Sequence, residues 1–192
     1  MLKNSRDQWG SVSKCLHWLI VLLIFGLAVV GLTMGELPRT PKYFWVYTAH
    51  KSMGITVLVL MLLRLGWRLY AGAPAPVAGT PRWQHAVASV THWALYLVAL
   101  LVPLSGWMYD SASGLRPFRW FGLFDVPKLV APNEQLAENA HAAHEQLFWL
   151  LVLLVAAHAG AALYHHMFQR DHTLKRMLPG YRASRTTTSE HP

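Results

Sequence analysis

The chain has 192 residues, of which 54% are hydrophobic and 14% are charged, whereas about a quarter of the residues are charged in a typical soluble domain. This composition excludes an ordinary soluble globule, and it also excludes disorder, which requires low hydrophobicity. The single cysteine, Cys15, excludes an intramolecular disulfide framework and a CxxC metal site. The net charge is +8, and eleven histidines accompany only nine Asp and Glu residues, so the histidines carry most of the chemical information.

Four long apolar runs follow one another along the chain. At 1.5 Å per residue, a helix of about 20 residues crosses a hydrocarbon core of about 30 Å. The runs therefore predict an all-α integral membrane four-helix bundle that forms one domain over residues 1–180. The expected spans are 14–35, 43–70, 84–109 and 140–168, and residues 181–192 are expected to form a disordered tail. The third run contains Pro103, which a membrane helix tolerates, and no segment has the period of a strand.

The orientation follows from Lys and Arg, which are retained on the cytoplasmic side of a span. Eleven of them lie in the N-terminal segment, the second connection and the C-terminal region, and six lie on the opposite side. Both termini are therefore expected in the cytoplasm, in a multi-pass protein of the bacterial inner membrane, with lipid and not nucleic acid as its partner. A cleaved signal peptide is the alternative for the first run, but the run is too long and lacks a small-x-small cleavage site. The six are Arg39, Lys42, Lys51, Arg116, Arg119 and Lys128, and the eleven are Lys3, Arg6, Lys14, Arg64, Arg68, Arg82, Arg170, Lys175, Arg176, Arg182 and Arg185.

Histidines within the spans are costly in lipid and usually functional. His17 is expected near the cytoplasmic end of the first helix, and His50 near the periplasmic end of the second. His144 and His158 are fourteen residues apart on the fourth helix, which places them about 21 Å apart along the axis and about 40° apart in azimuth. Depth therefore pairs His50 with His144 and His17 with His158. His92, on the third helix at a cytoplasmic depth, remains an alternative partner in place of His17.

Paired imidazoles at matching depths can hold a metal between helices. A catalytic zinc site would need a third protein ligand and an open position, and no carboxylate lies within 93–108 or 146–169. Small residues around His158, and Gly54 after His50, leave room for a flat macrocycle, so haem fits the pairs better than zinc. The structural alternative is that each histidine only hydrogen-bonds a neighbouring helix and that the small residues serve close packing.

Several motifs, spread over nearly the whole chain, carry a family resemblance. They are Lys14-x-x-His17-Trp18, His50-x-x-x-Gly54 running on to Arg64 and Arg68, Pro103-x-x-Gly106, the aromatic connection 114–127, His144-Glu145 followed by His158, and Leu163-Tyr-His165-His166 running on through Arg170-Asp171 to Pro179. On these motifs the sequence resembles the prokaryotic cytochrome b561 family and, within it, the membrane superoxide oxidases.

The resemblance implies two haem b groups whose iron is held by His17, His50, His144 and His158, and it implies that His92 is not a ligand. It further implies an oxidoreductase that transfers electrons from periplasmic superoxide to ubiquinone and releases dioxygen. Related four-helix cytochromes instead serve as electron-transfer subunits or anchors of hydrogenases and dehydrogenases, so a partner redox subunit is the alternative.

Two groups of side chains are candidates for the substrate sites. Ligation by two histidines fills both axial positions, so superoxide would react by outer-sphere electron transfer. A basic cluster at the expected periplasmic haem could attract this anion, and Asp110 and Asp125 would weaken the attraction. The alternative, equally open, is that the basic residues are ordinary snorkelling side chains at the membrane interface. At the cytoplasmic end, His165 continues the stripe of His144 and His158. The basic cluster consists of Lys51, Arg116, Arg119 and Lys128, and the quinone candidates are His165, His92 and Arg68.

Overall fold

The computed structural model describes residues 1–38, 40–77 and 79–181. Arg39, Arg182 and Arg185, which entered the charge comparison, lie outside the described residues. The expected disordered tail beyond Tyr181 also lies outside them.

Four long helices form the body of the protein: α1 (Ser11–Met34), α2 (Phe44–Ala71), α3 (Arg82–Ala112) and α4 (Glu134–Tyr164). Each is long and apolar enough to cross a membrane. α4 continues through a π-helical turn, His165–Gln169. The prediction of an all-α membrane four-helix bundle is confirmed.

Local sequence explains where several of these helices begin and end. The side chain of Asn133 accepts a hydrogen bond of 2.8 Å from the Leu136 amide and so caps the start of α4. A short turn, Pro41–Tyr43, leads into α2, and Gly72, with φ of 70°, follows its last residue. Pro103 lies inside α3, which continues through it as a helix.

The helices pack in chain order, α1 against α2, α2 against α3 and α3 against α4. All four contribute to one small core, formed by Ile20, Val57, Met61, Val98, Ala99 and Leu151. Many large apolar side chains on the outer surfaces of the helices are exposed, which is the surface that a lipid environment requires.

A two-stranded antiparallel hairpin is the feature that the sequence analysis did not anticipate. β1 (Arg119–Trp120) pairs with β2 (Phe124–Asp125) in the connection between α3 and α4. Strands of two residues are too short to show a period in the sequence. The three-residue turn has positive φ at Phe121 (45°) and Gly122 (78°), a conformation that glycine adopts readily and other residues rarely.

Candidate functional site

The bundle has two ends, named here by what they carry. The loop-side end carries the connection 113–133 with its hairpin. The termini-side end carries both the N-terminal segment and the region after α4. A pair of histidines lies toward each end, and α4 contributes one member of each pair.

At the loop-side end, His50 of α2 faces His144 of α4. Their ring centroids are 6.4 Å apart and the ring planes are inclined at 80°. The Nδ1 atom of His144 lies 2.8 Å from the carbonyl oxygen of Val102, which can only accept a hydrogen bond. Nδ1 therefore carries the proton, and Nε2 keeps a free lone pair. The hydroxyl of Ser105 donates to the same carbonyl at 2.7 Å.

The Nδ1 atom of His50 is buried and has no hydrogen-bond partner within the described parts of the chain. An unpartnered polar atom costs free energy in a low-dielectric interior, so its presence needs an explanation. Coordination of a metal at the other ring nitrogen would leave Nδ1 as an N–H donor without an acceptor, so this nitrogen does not by itself point to a metal.

Two glycines make room for these rings. A Cβ atom at Gly31 of α1 would lie 3.3 Å from Cε1 of His50, and one at Gly106 of α3 would lie 3.1 Å from Cε1 of His144. Both distances are tight, so a side chain at either position would press on a histidine. At Gly54 a Cβ would meet no atom within 4 Å, because this residue faces open space.

That open space is a cavity of about 1220 Å³, which both histidines and Gly54 line. Pockets for small organic ligands usually measure about 300–1,000 Å³, so a macrocycle fits here. Two imidazoles on opposite sides of one metal have centroids roughly 6.3 Å apart, given metal–nitrogen bonds of about 2.0–2.1 Å. The separation and the cavity together fit a haem.

At the termini-side end, three imidazoles converge. The rings of His17 (α1) and His158 (α4) have centroids 6.3 Å apart and are inclined at 88°. The ring of His92 (α3) lies 5.2 Å from that of His158. The His17–His158 separation is close to that of the loop-side pair, whereas the His92–His158 separation is shorter. Arg64 of α2 lies within electrostatic reach of all three rings.

The region after α4 folds back over the start of α1. The ammonium group of the buried Lys14 donates to the carbonyl oxygens of Leu178 and Tyr181, both at 3.1 Å. The indole of Trp18 donates to the carbonyl of Met177 at 2.9 Å. These contacts explain why Lys14 and Trp18 flank His17 in the first motif: they tie the C-terminal region to the helix that carries it.

The basic cluster at the loop-side end is held by Asp110. This carboxylate is 3% exposed and contacts the Lys51 ammonium at 2.6 Å and the Lys128 ammonium at 2.8 Å. Arg119 faces Asp125 at 3.5 Å with both side chains exposed. Lys51, Arg116 and Arg119 line the cavity. Glu145 also lines the cavity, so four cations face three carboxylates, which leaves one positive charge in excess.

The quinone candidates fall into two groups. His165 lies in the π-helical turn, with its Nδ1 2.6 Å from a carboxylate oxygen of Asp171. His92 lies instead against His158, and Arg68, within electrostatic reach of His92, covers the ring of Trp9 at 5.4 Å. The sequence placed Asp171 close to His165 in the chain, and the structure supplies the direct contact.

Asp171 is a charged partner for His165. Burial raises the pKa of this carboxyl group, but the Thr173 backbone amide, at 2.8 Å, and the His165 ring outweigh burial and lower the pKa below its ordinary value. The group is therefore ionised at neutral pH. An ionised partner at Nδ1 orients the imidazole and leaves its Nε2 for another molecule.

Four membrane-length helices with an imidazole pair toward each end define a membrane helix bundle of the class that holds metal groups between facing helices. The family model of the prokaryotic cytochrome b561 matches residues 8–180, and the chain belongs to this family. Membership confirms the resemblance. It establishes electron transfer in a bacterial membrane as the function and implies b-type haem as the cofactor.

Several curated relatives are similar over nearly their whole length. Cytochrome b561 homolog 2 of Escherichia coli (strain K12) is 34% identical over 180 residues, covering 91% of this chain and 93% of the relative. Cytochrome b561 homolog 1 of the same organism is 35% identical over 175 residues, covering 90% and 98%. The probable superoxide oxidase CybB of Yersinia pestis is 33% identical over 167 residues, covering 85% and 92%.

The Asp110 contacts predict a large effect on stability. Replacing Asp110→Asn leaves two lysines without their shared carboxylate. We expect the free energy of unfolding to fall by about 2–4 kcal/mol. This is somewhat less than the usual cost of removing one partner from a fully buried ion pair, because both lysines are partly exposed. Thermal unfolding of the detergent-solubilised protein measures this as a lower Tm. Asp125→Asn, whose ion pair is exposed, is the control and should change the Tm little; equal effects of the two substitutions would contradict the argument.

Proposed function

We propose that the protein is a di-haem b-type cytochrome that transfers electrons from superoxide to ubiquinone. The observation that carries the proposal is the presence of two imidazole pairs, with centroids 6.4 and 6.3 Å apart, toward opposite ends of one continuous helix. In this proposal His50 and His144 hold one haem iron, and His17 and His158 hold the other.

The choice of His17 over His92 rests on ring separation. Depth alone allows either residue as the partner of His158. At 5.2 Å, His92 is too near to lie across a metal from His158 without moving, whereas His17 needs no such movement. In our assignment His92 packs against the ligand and helps to orient it.

Each haem, when bound, supplies storage for one electron. Two superoxide anions give up one electron each and leave as dioxygen, and one ubiquinone takes up the two electrons and two protons. The excess of Lys and Arg around the termini-side connections supports an orientation with both termini in the cytoplasm. In that orientation superoxide reacts at the periplasmic, loop-side end.

The basic cluster supports an anion as the substrate at that end. The excess positive charge beside the cavity attracts a small anion and raises its local concentration. Arg116 and Arg119 line the cavity and lie outside the Asp110 ion pairs, so they are the residues we assign to steering. Lys51 and Lys128, held by Asp110, form the fixed part of the same cluster.

The His165–Asp171 contact supports quinone reduction at the termini-side end. A quinone carbonyl needs a hydrogen-bond donor, and its reduction needs protons. With its Nδ1–H donated to the Asp171 carboxylate, the His165 ring can donate from Nε2 to a quinone carbonyl as the imidazolium, which also supplies a proton. We assign His92 and Arg68 to the wall of the same site, on the side of His158.

A subunit of a larger oxidoreductase is the alternative, and the protein itself distinguishes the two. A superoxide oxidase works as a purified single chain, whereas an electron-transfer subunit needs a partner that supplies electrons. The similarity to a probable superoxide oxidase favours the first. The deciding experiment exposes the purified, haem-loaded chain to superoxide and then to ubiquinone, and follows haem reduction and reoxidation optically.

The ligand assignment predicts how haem is lost. The chain should bind two haems without covalent attachment, because it has no CxxCH motif. Replacing His50→Ala or His144→Ala should remove the same haem, and His17→Ala or His158→Ala should remove the other, leaving one haem per chain in a pyridine haemochrome assay. His92→Ala is the control and should retain two. Loss of haem from that variant, with full retention in His17→Ala, would reverse the assignment.

The steering role of the arginines predicts an effect on one half-reaction. Arg116→Glu combined with Arg119→Glu should slow haem reduction by superoxide by about tenfold or more at low ionic strength, and should flatten its salt dependence. Arg6→Glu with Arg82→Glu makes the same change in net charge at the termini-side end and should not slow this step. Stopped-flow traces that are identical for both double variants would count against steering.

The quinone role of His165 predicts an effect on the other half-reaction. His165→Ala should leave reduction by superoxide intact and slow reoxidation by ubiquinone by about tenfold or more, because the carbonyl loses its donor. Asp171→Asn should slow it less. The exposed neighbour provides the control, since His166→Ala should reoxidise at the normal rate. Equal rates in His165→Ala and His166→Ala would place the quinone elsewhere.

A further inference from the structure

The hairpin of the loop-side connection exposes three large apolar side chains. Phe121 is 51% exposed, Leu123 is 67% exposed and Phe124 is 56% exposed. We propose that the hairpin is an interfacial membrane anchor, in which these three side chains enter the lipid leaflet at the loop-side end. The proposal concerns lipid binding and is independent of the substrates assigned above.

The depth of the hairpin follows from its hydrogen bonds to α2. The indole of Trp120 donates to the Thr56 hydroxyl, and the Phe121 amide donates to the Ser52 hydroxyl, both at 3.1 Å. Ser52 lies eight residues, and Thr56 twelve residues, from the first residue of α2, Phe44. These offsets correspond to about 12 and 18 Å along the helix axis.

The length of α2 converts these offsets into a position in the bilayer. Its 28 residues extend about 42 Å, whereas the hydrocarbon core measures about 30 Å, so a centred, upright helix projects about 6 Å at each end. Ser52 then lies about 6 Å below the hydrocarbon surface, within the range of about 5–10 Å to which interfacial apolar faces are buried. The turn of the hairpin is held at this depth.

The amides of the hairpin turn meet the condition that lipid imposes. Polar backbone groups facing hydrocarbon need partners within the protein. The amides of Gly122 and Leu123 donate to the carbonyls of Arg119 (3.2 Å) and Trp120 (2.9 Å). The Phe121 amide is satisfied by Ser52. The three consecutive amides of the turn therefore need no water.

The charges and the neighbouring surface also favour lipid. Arg119 and Asp125 face each other at the base of the hairpin, and the Arg119 guanidinium also donates to the Leu123 carbonyl at 3.1 Å, so both charges and that carbonyl have partners within the protein. Phe44 and Trp45, at the start of α2, are exposed aromatic residues at the same end of the bundle. Aromatic residues at this level are typical of the membrane interface, so the hairpin continues a lipid-facing surface and is not an isolated patch.

Spin labels on single cysteines test the proposal, and the lone native cysteine makes this practical. In a Cys15→Ser background, labels are attached after Leu123→Cys or Phe124→Cys. Leu22→Cys, exposed at the middle of α1, is the lipid control, and Glu138→Cys, exposed near the start of α4, is the water control. The haem-loaded protein is studied in nanodiscs with one chain per disc.

The measured quantity is the ratio of collision rates with oxygen, which concentrates in lipid, and with a water-soluble nickel complex. We expect the ratio at positions 123 and 124 to exceed that of the water control by about fivefold or more and to approach that of the lipid control. A ratio equal to the water control would mean that the hairpin lies in water. Low collision rates with both reagents would mean that protein covers it, and either outcome would overturn the proposal.

Discussion

The structure depends on one constraint, namely that a polar ring nitrogen in a membrane interior needs a partner supplied by the protein or its cofactor. His144 meets it on one side through the Val102 carbonyl, and its other nitrogen faces His50 across the bundle. Two facing imidazoles cannot hydrogen-bond one another at a centroid separation of 6.4 Å, and the b-type haem that the family implies would, in our proposal, bind between the two nitrogens that face each other. The spacing of α2 and α4 and the glycine at position 106 fit that arrangement.

The same constraint shapes the two ends differently. At the loop-side end, cations lie beside a cavity, and a buried carboxylate holds two of them. The cavity therefore keeps an excess of positive charge although both lysines are paired. At the termini-side end, backbone carbonyls of the C-terminal region engage Lys14 and Trp18, and the carboxylate of Asp171 engages His165. One end is suited to receiving an anion, and the other to donating a proton to a neutral ligand. This division supports a direction for electron transfer that the haem ligands alone do not give.

Hydropathy and helical geometry were sufficient to predict the four helices and the depth-matched histidines, because both depend on rise and rotation along a single helix. What required the structure depends on relations between helices. Depth could not separate His17 from His92, since both lie at the same level, and the ring separations on which our assignment of His17 rests are relations between helices. Asp110 contacts lysines 59 and 18 residues away, and no sequence period reports such contacts. The hairpin depends on the backbone angles of two residues, Phe121 and Gly122, rather than on strand patterning.

The third helix acquires a role from these relations although it supplies no assigned haem ligand. At the loop-side end, the Val102 carbonyl accepts a hydrogen bond from the His144 ring, and Gly106 gives that ring room to approach. At the termini-side end, the ring of His92 packs edge-on against His158. α3 therefore touches both paired histidines of α4, His144 and His158, and fixes the orientation of the first by a hydrogen bond and of the second by ring packing. Because α3 and α4 pack along each other, a displacement of α3 would disturb both assigned haem sites through the ligands of α4.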